Sequence, residues 1–129
     1  MYIDYKGDKM SSMIRAAFAT NNSKNIDAHF GKAKQFDIYE ISCKKSTFLK
    51  SIANKEKDTD KTIALLEDID IVYFINVGPI AATKVIKKGI FPIKYKDIVS
   101  IEDELKKLES MLSKNPPPFI KKILQERVA

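Results

Sequence analysis

A single histidine, His29, lies in a segment whose residue types could bind a ligand. The side chains around it combine basic, aromatic and small types within five positions on either side: Lys24, Phe30, Gly31, Lys32 and Lys34. A neutral imidazole is a good ligand for transition metals, lysine ammonium groups favour an anion, and a glycine lets a bulky ligand approach the backbone. These types predict a site for an anionic, metal-containing ligand, with His29 bound to the metal. The alternative is an ordinary surface histidine in a solvated, lysine-rich loop.

The other residue that could bind a soft metal is Cys43, the only cysteine of the chain. A single cysteine excludes an intramolecular disulfide and any zinc or iron–sulfur site built from cysteines alone. The strand predicted after the His29 segment separates the two residues by roughly 25–30 Å, at about 3.3 Å per residue. We therefore expect that His29 and Cys43 do not bind one ligand within one chain.

Length and composition are typical of one globular domain. The chain has 129 residues, of which 44% are hydrophobic and 31% charged, and its formal net charge of +6 favours anionic partners. We expect a flexible tail over residues 1–13 and a single domain over residues 14–129, with a helical extension at its C-terminus. The N-terminal residues lack the apolar segment of a secretion signal, and no apolar run reaches about 18 residues. These features predict a cytoplasmic protein that does not associate with membranes.

The elements that must position the His29 segment follow from apolar patterning, turn residues and helix caps. Five strands are predicted, at residues 14–20, 34–42, 46–54, 69–78 and 89–95. Four helices are predicted, at residues 60–68, 79–88, 100–114 and 119–128. The pattern predicts an α/β fold with a single mixed five-stranded sheet flanked by helices, in which the second and third strands form a hairpin and the fourth strand is central. The last helix is predicted to cover the sheet, the alternative being a docking element for a partner.

The fourth predicted strand, residues 69–78, should run parallel to the first and therefore end near His29. Asn76, Val77 and Gly78 would then line the same crevice, beside the N-terminus of the helix that follows. Open α/β sheets bind ligands at the carboxyl ends of their strands, and a helix N-terminus favours an anion. We therefore include Asn76 and Gly78 in the predicted site.

Three stretches of the sequence together resemble one protein family. They are AFATNNSKNIDAHFGKAKQFDIYEI at residues 17–41, LLEDIDIVYFINVGPIAATKVIKKGIFPIK at residues 65–94, and LESMLSKNPPPFIKKIL at residues 108–124. Over most of its length, the chain resembles the nitrogenase cofactor-carrier family, which includes NifX, NifY, the core domain of NafY and the C-terminal region of NifB. The third stretch is similar to the ending of the NifX subgroup.

The resemblance implies a ribonuclease H-like α/β fold and a protein that is not an enzyme. It implies that the protein binds the iron–molybdenum cofactor, or its iron–sulfur precursor cluster, and passes it to nitrogenase cofactor assembly proteins or to apo-dinitrogenase. The histidine of the family's His-Phe-Gly segment is the favoured cluster-binding residue and corresponds to His29. Two positions depart from the family: Ile69, where members often carry a cysteine, and Ser23, where the turn after the first strand usually contains glycine.

Two other functions remain open from the residues alone: a metal-dependent nuclease and non-catalytic nucleic-acid binding. A nuclease needs carboxylates clustered on the sheet, whereas the first strand has none, and Asp37 and Glu40 should point to opposite faces. The net charge of +6 suits nucleic acid. The lysines are spread along the chain, however, and exposed aromatic residues suited to base stacking are not evident, so nucleic-acid binding is the less favoured reading.

Overall fold

The computed structural model describes residues 13–55, 58–114 and 116–128. Its strands are β1 (Ile14–Thr20), β2 (Asn25–Ile26), β3 (Gln35–Ile41), β4 (Ser46–Ala53), β5 (Ile71–Phe74), β6 (Phe91–Lys94) and β7 (Val99–Ser100). Its helices are α1 (Thr59–Ala64), α2 (Pro79–Lys87), α3 (Ile101–Ser113) and α4 (Pro118–Val128). The tail expected over residues 1–13 lies outside the described residues except for residue 13. The single domain expected over residues 14–129 stays a prediction.

Five strands form one mixed sheet in the order β4-β3-β1-β5-β6. β3 runs antiparallel to both of its neighbours, whereas β1, β5 and β6 pair in parallel. The predicted five-stranded mixed sheet, its β3–β4 hairpin and its parallel β5–β6 pair are therefore confirmed. The prediction that β5 is central is wrong, because the central strand is β1. Both strands are almost wholly buried, but the small alanine side chains of β1 obscure this in the sequence.

Helices cover both faces of the sheet. α1 and α2 pack on one face, which we call the α1/α2 face, over a core that includes Phe30, Phe36, Val72 and Phe74. α3 and α4 pack on the other, the α3/α4 face, over a core that includes Ile14, Phe18, Ile71 and Tyr73. Because side chains alternate along a strand, each of the central strands contributes to both cores.

Turn and cap residues set both ends of α2 and the start of α3 as predicted. Pro79 is the first residue of α2, and Gly89 follows the helix with a φ of +87°, in the left-handed region. Ser100 caps α3, since its hydroxyl oxygen accepts a hydrogen bond from the Asp103 amide at 3.3 Å. Pro92 lies in β6, an edge strand, where the loss of an amide donor is tolerated.

Some predicted elements differ from the structure. β5 spans only Ile71–Phe74, because the backbone beyond it leaves the sheet to bond with the segment around His29. α1 ends at Ala64 rather than at Asp68 as predicted. Asp68 itself has a φ of +63°, in the left-handed region. The two-residue strands β2 and β7, which pair with each other, have no counterpart in the prediction.

The last helix, α4, covers the sheet as predicted. Ile120 is wholly buried in the core of the α3/α4 face. Phe119 stacks on Phe91 of β6, with ring centroids 4.4 Å apart. None of the helices in the described part of the chain has the length and apolar character needed to cross a membrane.

Candidate functional site

The His29 loop, residues 21–34, passes over the carboxyl end of β1 from one face of the sheet to the other. Ile26 is buried in the core of the α3/α4 face, whereas Ala28 and Phe30 are buried in the core of the α1/α2 face. β2 anchors the first half of the loop, since it pairs with β7 directly before α3. The loop is therefore packed into both cores, and its polar side chains are left at the surface.

The loop begins with a tight turn that contains Ser23. The Thr20 hydroxyl oxygen accepts hydrogen bonds from the amides of Asn22 at 3.2 Å and Ser23 at 3.0 Å. Ser23 has a φ of +64°, in the left-handed region that favours glycine. The chain keeps this turn with serine in place of glycine, and the Ser23 hydroxyl oxygen accepts a hydrogen bond from the Gln35 side-chain amide at 2.8 Å.

The backbone of His29 is fixed, while its side chain is exposed. Its carbonyl oxygen accepts hydrogen bonds from the amides of Lys32 at 3.2 Å and Ala33 at 3.0 Å. Next to it, Phe30 is wholly buried, with its ring centroid 5.9 Å from that of Phe74. The predicted site residue Phe30 thus anchors the loop in the core and does not present its ring to a ligand.

The connection between β5 and α2 lies against the His29 loop, as predicted. The Phe30 amide donates a hydrogen bond to the Asn76 carbonyl at 2.8 Å, and the Ile75 amide donates one to the Ala28 carbonyl at 3.0 Å. The Asn76 side chain is exposed beside the loop. These bonds bring two predicted site residues, His29 and Asn76, together at the carboxyl ends of β1 and β5.

The start of α2 offers open space and a first turn without a side-chain cap among the described residues. Gly78 is the N-cap, and no side chain in the described part of the chain caps the helix, so its first amides are open to an anion. A Cβ atom built on Gly31 or on Gly78 would meet nothing within 4 Å. The fold therefore has room for a larger side chain at both positions. With glycine there, this space is left for a ligand to approach the backbone. Ile80, which the sequence interpretation missed, is 70% exposed in the first turn.

The three lysines of the predicted site lie in different halves of the loop. Lys32 and Lys34 are exposed in its second half, which holds His29. Lys24 is exposed in its first half, and its carbonyl accepts a hydrogen bond at 2.9 Å from the Ile101 amide at the start of α3. Lys32 and Lys34 therefore belong to the half of the loop that holds His29, whereas the backbone of Lys24 is bonded to the start of α3 on the α3/α4 face.

Residues that could complete a metal site are not gathered around His29. Among the described residues, no group of three or more histidine, cysteine, aspartate or glutamate side chains is arranged to hold a metal ion. Cys43 is exposed in the β3–β4 turn. This turn lies at the end of the sheet where β1 begins, because Ile41 pairs with Ile14 there, and His29 lies at the other end. Ile69, where the resemblance leads us to expect a cysteine, is buried before the start of β5. A cysteine at that position would lie at the end of β5 away from His29.

The carboxylates of β3 lie on opposite faces, as expected. Asp37 is buried and accepts hydrogen bonds from the side-chain amide of Gln35 at 2.8 Å and the Ser51 hydroxyl at 2.7 Å. Glu40 faces the other way and pairs with Arg15, with the Nε and Oε2 atoms 3.3 Å apart. Each carboxylate therefore has hydrogen-bond partners of its own.

Comparison with known protein sequences supports the resemblance. A sequence model of the family described as dinitrogenase iron-molybdenum cofactor matches residues 12–111. Protein NifX of Rhodobacter capsulatus is 32% identical over 123 residues, covering 86% of this chain and 77% of that protein. Protein NifY of Azotobacter vinelandii is 26% identical over 125 residues, covering 93% of this chain and 52% of that protein. The resemblance to the NifX-like family is confirmed.

Two solved structures share the fold. The crystal structure of PH0822 aligns with a TM-score of 0.63 at 18% identity, covering 74% of this chain and 90% of that chain. The crystal structure of a protein from Methanocaldococcus jannaschii aligns with a TM-score of 0.54 at 21% identity, covering 77% of this chain and 88% of that chain. At these identities the likeness concerns the fold alone.

Proposed function

Because the chain belongs to the dinitrogenase iron-molybdenum cofactor family, we propose that it binds an iron–sulfur-based nitrogenase cofactor or its precursor. It carries this cluster during cofactor assembly in the cytoplasm and catalyses no reaction. Its partners are nitrogenase cofactor assembly proteins or apo-dinitrogenase. The observation that carries the proposal is an exposed His29 on a loop with a fixed backbone, beside the open start of α2.

His29 is the proposed ligand to the cluster. Imidazole binds iron and can replace thiolate on an iron–sulfur cluster. The ring must be neutral to donate its lone pair to the metal, so acid should weaken binding. The first amides of α2 and the ammonium groups of Lys32 and Lys34 would stabilise the negative charge of the cluster. Gly31 and Gly78 leave the space in which the cluster approaches the backbone.

A single histidine holds a cluster weakly, and this suits a carrier. The described residues offer no group of three protein ligands, so a partner protein, a second subunit or solvent would complete the coordination. A cluster held through one imidazole can be passed on when a recipient offers more ligands.

We also propose that residues 14–129 act as one ribonuclease H-like domain, which the mixed sheet with β3 as its antiparallel strand supports.

The test compares His29→Ala with Cys43→Ser. Both residues are exposed, so neither change should alter the melting temperature by more than a small amount. We expect His29→Ala to lose most of its affinity for isolated iron–molybdenum cofactor in an anaerobic titration, whereas Cys43→Ser binds like the parent. Affinity of the parent should fall in acid. Parent-like binding by His29→Ala, or loss of binding in Cys43→Ser, would place the site elsewhere.

A further inference from the structure

Asn54 is a buried polar residue directly after β4, and the sequence interpretation gives it no role. Its side chain is 3% exposed, and that of Thr62 in α1 is 0% exposed. The Thr62 hydroxyl donates a hydrogen bond to Asn54 Oδ1 at 2.9 Å. A buried amide and hydroxyl cost free energy unless they are hydrogen-bonded, so each side chain needs the other.

The nitrogen atom of the Asn54 side-chain amide bonds to the His29 loop. Asn54 Nδ2 donates a hydrogen bond to the Ala33 carbonyl at 3.0 Å, and the Asn54 backbone amide donates one to the Lys34 carbonyl at 2.9 Å. The Ala33 amide in turn donates to the His29 carbonyl at 3.0 Å. A continuous path of hydrogen bonds therefore runs from Thr62 in α1 through Asn54 and Ala33 to the backbone of His29.

This path differs from ordinary core packing because it specifies one backbone geometry. Apolar contacts tolerate small displacements, whereas a side-chain amide with one acceptor and one donor in use fixes both partners in distance and angle. The path acts on the half of the loop that holds His29 and Lys32. The Phe30 ring anchors the same half through apolar contacts, and backbone hydrogen bonds join it to the β5–α2 connection. Asn54 adds a second directional anchor, from the side of β4 and α1.

We propose that Asn54 and Thr62 are positioning residues that hold the His29 loop in its ligand-binding conformation. Neither residue touches the ligand. Their effect on affinity rests on the proposed function, since it arises from ordering the loop before the cluster binds. Their effect on the loop itself does not depend on which ligand binds.

The sharpest variant is Thr62→Val, which removes the hydroxyl with little change in shape, and Thr62→Ser is its conservative partner. Hydrogen exchange of the Lys32 and Ala33 amides reports the order of the loop without any ligand. We expect Thr62→Val to speed this exchange about three- to tenfold relative to a core amide of β1, and to weaken binding of isolated iron–molybdenum cofactor by a similar factor. Thr62→Ser should restore both.

Ser46→Ala is the control. Like Thr62→Val, it removes a hydroxyl group that makes a hydrogen bond, but Ser46 lies in β4. Ser46 donates to Glu109 at 2.6 Å, at the end of β4 away from the loop. It should lower the melting temperature without changing exchange at Lys32 and Ala33. If Thr62→Val behaves like Ser46→Ala in exchange and affinity, the positioning role is wrong. If Thr62→Val loosens the loop while the parent chain does not bind isolated iron–molybdenum cofactor, the positioning role in the loop stands and the proposed function fails.

Discussion

The two faces of the sheet are built alike but are connected to the His29 loop in different ways. Each is covered by two helices, and each has stacked or tilted aromatic rings at its centre. On the α1/α2 face the loop itself supplies part of the core. On the α3/α4 face the loop contributes Ile26, and the remaining core comes from strands and helices. The comparison separates residues that stabilise the domain from residues that also shape the site.

The α3/α4 face contains a self-contained aromatic and polar network. Phe18 stacks on Tyr73, with ring centroids 4.7 Å apart, and Tyr73 stacks on Tyr95 at 6.3 Å. The Tyr95 hydroxyl donates a hydrogen bond to the buried carboxylate of Glu104. Lys107 pairs with the same carboxylate, with its Nζ atom 3.2 Å from Oε2. These contacts join β1, β5 and α3 and do not include the loop.

On the α1/α2 face, residues that stabilise the domain also position the His29 loop. Phe30 fills the centre of this core and is the residue next to His29. Asn54 ties the same stretch of loop to α1. A change in the packing of this face should therefore move the His29 backbone, whereas an equal change on the other face should not.

The largest effect is expected from replacing one buried aromatic ring on each face. Phe30→Ala and Phe18→Ala should each lower the free energy of unfolding by about 3–5 kcal/mol, because each leaves a large cavity. Only Phe30→Ala should also weaken binding of isolated cofactor, since Phe30 belongs to the His29 loop and Phe18 does not. Urea unfolding gives the first quantity and anaerobic titration the second. Equal losses of binding in the two variants would mean that the faces are not separate.

Alkaline pH should destabilise the α3/α4 face. Burial, and then the charges of Glu104 and Tyr95, raise the pKa of the Tyr73 hydroxyl well above its ordinary value. The folded chain therefore keeps this proton above about pH 10, where the unfolded chain loses it. The free energy of unfolding should hold up to that pH and fall above it.

Urea unfolding at about pH 9 and about pH 11 measures this loss. Tyr73→Phe removes the titrating group and keeps the ring, so the fall in stability with pH should be smaller in that variant. A parent protein and a Tyr73→Phe variant that lose the same stability between the two pH values would contradict the expectation.

The smallest effect is expected from surface charge near His29. Replacing both Lys32 and Lys34 by Gln should weaken cofactor binding about two- to fivefold at low salt, because exposed charges contribute little each. Binding should also depend less on ionic strength, since part of the attraction is gone. Lys121→Gln with Lys122→Gln on α4 gives the same change in net charge on the α3/α4 face and should leave binding unchanged. If both pairs act alike, net charge and not the site explains the effect.

Local signals predicted much of the candidate site. The strand before the His29 loop, the hairpin after it and the Gly78-Pro79 turn were all evident from the sequence, and together they placed Asn76 beside the loop. The sequence could not show that Phe30 points into the core, because a loop has no periodicity from which to assign a face. It gave no reason to single out Asn54 either, since a lone asparagine between a strand and a lysine-rich stretch is typical of a turn.

The sequence by itself determined the existence of the five strands of the main sheet and of the four helices, where α2 and α3 begin, and which ends of the sheet hold His29 and Cys43. These features depend on side-chain alternation, proline and glycine geometry and helix caps, all of which act within a few residues. Only the tertiary structure decided that β1 is central, that β2 pairs with β7, and that Thr62 reaches the His29 loop through Asn54. These are contacts between residues far apart in the chain, and a two-residue strand or a single buried amide has no local pattern that names its distant partner.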